Sequence, residues 1–169
     1  AEEVVASATD VFLIPESLDY VRAAGFPIAY GTSHVGLRTK LDLTAGQTLL
    51  VHGAAGGVGL TAVEIAKKMG ATVIATAGSK EKLNIAQTYG ADHLINYKTE
   101  DIRAKVKQLT QGRGVDAVYD PVGGDVFTAS LRATAQGGKI LVVGFASGTV
   151  APVPANILLV KNISVIGLY

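Results

Sequence analysis

No cysteine occurs in the 169 residues, so the chain can form neither a disulfide nor a thiolate metal site. That absence fits a reducing compartment, and a cytoplasmic location is the expectation. No apolar run is long enough to span a bilayer. The opening stretch, AEEVVASATD, lacks the basic end and apolar centre of a signal peptide. An initial Met is missing too, so the chain reads as processed or as a piece of a longer protein. A long basic run is also absent, and the formal net charge is only +1. Nucleic acid and acidic membranes are therefore poor partners for it. There is no low-complexity stretch, and the only repetition is an alternation of strand-like and helix-like segments.

What is present is apolar material and glycine: 49% of the residues are hydrophobic and 20 are glycine. One domain with a sizeable core and many tight turns follows. From Gln47 onward, short runs rich in Val, Ile and Leu recur: QTLLVHG, ATVIATAG, DHLINY, GVDAVYD, GGKILVVGF and NISVIGLY. They do not alternate with polar residues, which is how strands buried on both faces of a parallel sheet read. Between them, apolar residues recur at spacings of three and four. Val58, Ala62, Ile65, Ala66 and Met69 form one face; Leu83, Ala86 and Tyr89 a second; Ile102, Val106 and Leu109 a third; Phe127 and Leu131 a fourth.

The punctuation agrees with four helices. Gly70, Gly90 and Gly112 stand where left-handed residues end helices, with Gly137 and Gly138 after the fourth, and Ser79 and Thr99 stand at N-cap positions. The fold expected is α/β: a doubly wound Rossmann fold with a six-stranded parallel sheet and helices on both faces. Sequence alone leaves the strand order open. The first part of the chain departs from this rhythm. Residues 2–14 read as an extended segment ending at Pro15. Ser17 caps a short helix over Leu18 to Ala24, and Phe26-Pro27 starts a second one running to about Lys40.

VHGAAGGVGL closes the first strand and opens the first long helix. Ala54, Gly56 and Gly59 fit the A/G-x-G-x-x-G pattern of dinucleotide-binding loops. A small residue makes the turn, Gly56 lets the backbone approach a pyrophosphate, and Gly59 lets the helix pack close to the sheet. The N–H groups of Gly57 and Val58 start the helix, where the dipole favours anions. Gly53, Gly57 and Gly59 also fit the spacing of short-chain dehydrogenases. Those need Tyr-x-x-x-Lys, and none of the six tyrosines has Lys four residues on.

An NAD site places Asp or Glu at the end of the second strand. Here that strand ends in Thr76, Ala77 and Gly78, with no carboxylate to repel a 2′-phosphate. Gly78 leaves room, Ser79 can donate, and Lys80 and Lys82 supply positive charge, so NADPH (NADP) is the expected cofactor. Ser79 serves equally as an N-cap, and the lysines as a solvated face.

The stretch LTAGQTLLVHGAAGGVGLTAVEIAKKMGATVIATAGSKEKL resembles the quinone oxidoreductase and zeta-crystallin branch of the medium-chain reductases, as do ADHLINYKTEDI, GVDAVYDPVGG, GGKILVVGFASG and NISVIGLY. The resemblance implies a GroES-like catalytic domain before the cofactor domain and a short return to it afterwards. Residues 1–15 would be the end of that first domain, with its last strand within 2–15, and residues 16–169 the NADP-binding Rossmann domain. The chain alone would then bind cofactor and reduce substrate poorly or not at all.

Position by position, the likeness implies that the backbone of Ala55, Gly56, Gly57 and Val58 holds the pyrophosphate. Gly78, Ser79 and Lys82 would surround the 2′-phosphate, and Tyr97 would pack near the adenosine phosphate. Val122 and Gly123 would lie by the adenine and its ribose. Gly144, Phe145, Gly167 and Leu168 would lie beside the nicotinamide, which Thr32 would face. Ser33-His34 departs from the Ala followed by Tyr or Trp expected there. Zinc-dependent relatives carry a Cys four residues before that threonine; here the residue is Ile28, which cannot bind a metal, so zinc independence is expected.

His34 is a candidate proton relay or an ordinary helix-surface residue. His52 reads as structural, and Asp120 as a strand end bonding nearby N–H groups. Glu64, Glu100 and Asp101 read as helix-surface charges. The implied reaction is hydride transfer from NADPH to a quinone or an enone, with the last strand, 162–168, joining two chains as a homodimer. Two other readings stay open: the cofactor domain of an enoyl reductase, and a nucleotide-binding module without catalysis.

Overall fold

The structure, a computed structural model, describes residues 2–169. Residues 2–19 are mostly exposed and hold one short 3-10 turn, Ala8–Asp10. The strand expected within 2–15 does not form, and its apolar side chains, Phe12 and Leu13 among them, are exposed. A strand needs a partner edge for its backbone groups, and this segment pairs with none. Ala1, the first residue of that expected remnant, lies outside the described residues.

Helix α1, Tyr20–His34, is continuous through Pro27 and runs on as a π-helical stretch, Val35–Lys40. This corrects the expectation of two helices. Proline removes one N–H and crowds the carbonyl four residues back. Most residues from Tyr20 to Ile28 are exposed, so water reaches that part of the helix. The cap is Asp19, whose Oδ1 accepts the Arg22 N–H at 2.8 Å, not Ser17.

The alternation then follows: β1 (Thr48–Val51), α2 (Gly57–Lys68), β2 (Thr72–Ala77), α3 (Lys80–Thr88), β3 (His93–Asn96), α4 (Ile102–Leu109), β4 (Val115–Asp120), α5 (Gly124–Ala133), β5 (Thr134–Val142), α6 (Ala155–Lys161) and β6 (Ser164–Gly167). The six strands form one parallel sheet in the order β3-β2-β1-β4-β5-β6, so β6 is an edge. Successive residues of β1 feed opposite faces. Leu49 and Val51 join a core with Ala62 and Ala66 of α2, while Leu50 joins one with Val106 of α4 and Leu131 of α5. Both faces are covered, which is why the strands read as unbroken apolar runs.

Local chemistry sets the boundaries. Gly70, Gly90 and Gly112 take the left-handed conformation after α2, α3 and α4. Ser79 caps α3, but α4 is capped by Asp101, whose Oδ1 accepts the Ala104 N–H at 2.6 Å. Thr99 instead sits in the turn before it, with its hydroxyl directed at the Asn96 carbonyl. Gly137 and Gly138 do not end α5. That helix stops at Ala133, and both glycines lie in the irregular first half of β5, where the register against β4 shifts between Val115 and Ala117. α6, with no place among the four expected helices, is short and without buried residues, so it left no periodic apolar face in the sequence.

Candidate functional site

β1 and β4 are neighbours in the sheet, but their crossovers leave in opposite directions, α2 to one face and α5 to the other. In open parallel sheets a crevice forms at such a switch point, beyond the carboxyl ends of the strands. Here it is a cleft of about 1100 Å³ whose lining includes the glycine loop after β1, the end of β2 and the loops after β4 and β5.

The glycine loop is built tightly. An added Cβ at Gly59 would overlap the Gly53 carbonyl oxygen and lie 2.8 Å from its carbon and 3.0 Å from Ala54 Cα, so any side chain would push α2 off the loop. Gly57 is the opposite case, because a Cβ there meets nothing within 4 Å and would project into open space. The N-cap of α2 is Gly56, so no side chain covers its start. Among the described residues, no protein acceptor takes the N–H groups of Gly57, Val58 and Gly59. Unsatisfied donors at the positive end of a helix suit an anion.

Beneath this start lies a polar network that sequence reasoning missed. Ser33, in α1, is fully buried. Its hydroxyl contacts the Val58 carbonyl at 2.8 Å, Thr61 Oγ1 at 2.8 Å and Tyr119 Oη at 3.0 Å. The Val58 carbonyl can only accept, so Ser33 donates to it and Tyr119 donates to Ser33. Thr61 donates to main-chain carbonyls, Ala29 among them at 3.0 Å. The first turn of α2 is thereby tied to α1 and β4. Burial pushes the Tyr119 phenol pKa up, opposed by the Ser33 bond. The one signal in the sequence was the departure at Ser33-His34, and Ser33 proves to be buried under the start of α2.

A second buried network lies under β1 and β2. The Ser130 hydroxyl donates to the Val126 carbonyl at 2.8 Å, so at 2.6 Å it accepts from His52 Nε2–H. The other ring nitrogen, Nδ1, then accepts the Thr76 hydroxyl at 2.9 Å, and His52 is neutral. Burial lowers its pKa from 6.5, with the nearby Asp120 pulling the other way. Asp120 is buried, and its Oδ1 accepts the N–H groups of Val122 at 2.8 Å and Gly123 at 3.0 Å. The two buried residues brace the glycine loop and the loop after β4, as their structural readings expected.

The cleft gathers Thr32, Ala55, Gly56, Gly57, Val58, Gly78, Lys82, Tyr97, Val122, Gly123 and Gly144. Ser79 lies outside it, capping α3 by accepting the Lys82 N–H at 3.4 Å. Phe145 is outside as well. Its ring packs over Gly123, where an added Cβ would meet it at 3.0 Å. Gly167 and Leu168 end β6 away from the lining, where Leu168 bonds to β5 through the Val142 carbonyl at 3.0 Å. His34 is exposed at the end of α1, also outside. Near the β2 end the Tyr97 hydroxyl sits over Gly78, 2.9 Å from where a Cβ would be.

Among the described residues Lys82 is the one basic side chain lining the cleft, against Glu100, Asp101 and Asp125. Two of those acids are engaged. Glu100 accepts the Asn96 N–H at 2.9 Å and pairs with Lys105 at 2.8 Å, which hold its pKa down, and Asp101 caps α4. Their place in the cleft depends on the turn after β3, which no local pattern announced.

Residues 57–169 match the zinc-binding dehydrogenase family. The chain is 47% identical over 169 residues to a quinone oxidoreductase-like protein 2 homolog of Nematostella vectensis, covering all of this chain and 46% of that protein. It is 36% identical over 155 residues to a 2-haloacrylate reductase of Burkholderia, covering 90% of this chain and 46% of that one. The Escherichia coli quinone oxidoreductase, solved in complex with NADPH, superposes with a TM-score of 0.87 at 34% identity, covering 94% of this chain and 49% of that one. The chain thus spans about half the length of these relatives. The family name invokes zinc, but the donor set here does not fit that metal. Cysteine is absent, both nitrogens of His52 are engaged, and no three His, Asp or Glu side chains converge among the described residues. Matching family, sheet order and glycine loop agree: the chain belongs to the zinc-binding dehydrogenase family, as the cofactor-binding domain of its medium-chain, quinone oxidoreductase-like branch.

Proposed function

We propose that this chain binds NADPH and serves an oxidoreductase that passes hydride to quinones or α,β-unsaturated carbonyls without zinc. The uncapped start of α2 carries the reading: three free N–H groups at a helix end facing a cleft with no side chain in the way. They would take the pyrophosphate. Gly78 and Lys82 would receive the adenosine 2′-phosphate, with Tyr97 packed beside it. Thr32 and Gly144 would border the nicotinamide.

Bound NADPH supplies the hydride. This chain's residues fix the position of the donor and shield it from water. His34 is exposed and outside the cleft, so this reading gives it no role in moving a proton. The acceptor class is supported by the names of the quinone and 2-haloacrylate relatives, whose substrates are electron-poor. Acceptor binding and turnover would require the rest of the protein. The open side of β6 would pair with a second copy.

The test is a calorimetric titration of the chain with NADPH and NADH. NADPH should bind more tightly, and Lys82→Ala should weaken NADPH about tenfold while leaving NADH nearly unchanged. Equal losses for both cofactors would overturn the phosphate site.

A further inference from the structure

On the other face of the sheet, α4, α5 and α6 meet around a second groove, of about 460 Å³. Arg103 and Lys107 of α4, Arg132 of α5 and Lys161 of α6 line it, with Ile157 and Val160 as its apolar side. Among the described residues no carboxylate lines it, and it shares no residue with the cleft.

Four cations elsewhere on the surface are paired with carboxylates. Lys105, also on α4, pairs with Glu100; Lys67 pairs with Asp92, Arg113 with Asp116 and Arg22 with Asp19. Among the described residues, none of the four groove cations has a carboxylate partner. Lys161 donates to the main-chain carbonyls of Leu131, Arg132 and Thr134 at the end of α5. Burial, then repulsion from Lys107, Arg103 and Arg132, lowers its pKa.

Arg103 is the second residue of α4, where the dipole opposes a cation. Lys107 stands four residues on, where like charges repel across one turn, although its own place in the last turn suits the dipole. A bound anion would relieve the repulsion between the two and would also neutralise the field around Lys161.

We propose that this groove is a binding site for a phosphate-bearing small molecule. Four cations from three helices suit a multiply charged anion better than a single carboxylate. Two guanidinium forks match phosphate oxygens. The apolar side formed by Ile157 and Val160 would take the organic part of the molecule, and the volume is in the range of small-molecule sites.

The experiment titrates the chain with inorganic pyrophosphate in phosphate-free buffer and follows backbone amide and lysine side-chain NMR signals. Signals of Lys107, Lys161 and α6 should move along a saturating curve, and the Lys161 ammonium should titrate at higher pH in the complex. Arg103→Gln with Arg132→Gln should weaken this curve at least tenfold and leave the response of Gly57 to Gly59 unchanged. Without ligand, Arg103→Gln should melt at or above the temperature of the parent chain, because a strained charge has gone. Four results would overturn the site: shifts confined to the glycine loop, groove shifts reproduced by sodium chloride at equal ionic strength, a double variant that titrates like the parent, or an Arg103→Gln chain that melts lower.

Discussion

α3 and α4 begin under a side chain, Ser79 or Asp101, that accepts one of their free N–H groups, whereas α2 and α5 begin at glycine with no such cover. These two starts lie on the cleft at the split between β1 and β4, whereas that of α6, also without a side-chain cap, does not. The capped starts serve stability. At the uncovered ones the chain forgoes a stabilising cap, worth about 1 kcal/mol, and leaves donors free for a ligand. Capped and uncapped starts thus meet at one cleft, and the difference between them can be tested one helix at a time.

The largest effect should come from Gly59→Ala. Its methyl group has no space against the Gly53 carbonyl, so α2 must shift, at a cost of about 3 kcal/mol or more. A urea midpoint within 0.5 kcal/mol of the parent (about the scatter of neutral surface changes) would show that loop and helix can separate freely. Gly57→Asp, two residues earlier, should behave in the opposite way. The side chain enters open space, and an acid in the first turn favours the helix, so stability should hold or rise by a few tenths of a kcal/mol. NADPH affinity should fall about a hundredfold, because a carboxylate would stand at the site proposed for the pyrophosphate. Calorimetry and thermal melting on the same sample separate the two outcomes.

The third test concerns the bracing under the loop. Burial holds the pKa of His52 below its ordinary 6.5, so between those two values the unfolded chain binds a proton that the folded chain refuses. Stability is therefore complete above about pH 6.5 and falls as pH drops, by up to about 1.4 kcal/mol per unit. The depressed carboxylates Asp92 and Glu100 act in the same direction but only in the more acidic range of carboxylate titration. Urea midpoints between pH 7.5 and 5.5 should show the slope (roughly the window set by the histidine's ordinary value), and His52→Gln should flatten it. A slope that survives in the variant would assign it to another group. The smallest effect belongs to a capped start: Asp101→Ala should cost about 1 kcal/mol, read from the urea midpoint, and an unchanged midpoint would mean that water replaces the cap.

The strands and the glycine loop were legible because their signals are local. Six apolar runs, a small-residue loop between strand and helix, and glycines at three helix ends were enough to give the doubly wound fold. The misreadings have physical causes. Pro27 looked like a helix start, yet an exposed helix tolerates the lost bond. Thr99 looked like a cap because hydroxyls usually cap well, but Asp101 stands nearer the true first turn. Short and half-exposed, α6 has too little apolar pattern to register. The Ser33, Thr61 and Tyr119 hydroxyls come from three elements far apart in sequence, and no spacing rule could join them. The cleft was legible where the glycine loop lines it, because one local segment supplies that wall. Its remaining walls, including Glu100 and Asp125, depend on how distant turns converge.

The contact between Tyr97 and Gly78 bears on any attempt to redesign the coenzyme preference of this fold. Gly78→Asp would be the obvious way to favour a free ribose. Yet the first carbon of the new side chain would land 2.9 Å from the phenol oxygen and 3.1 Å from the ring carbon that carries it. The aromatic ring would have to swing aside or be trimmed in the same step. Because that ring is itself exposed, it has solvent to move into, and a substitution at position 78 would act on the cleft through the displaced phenol as well as through its own side chain.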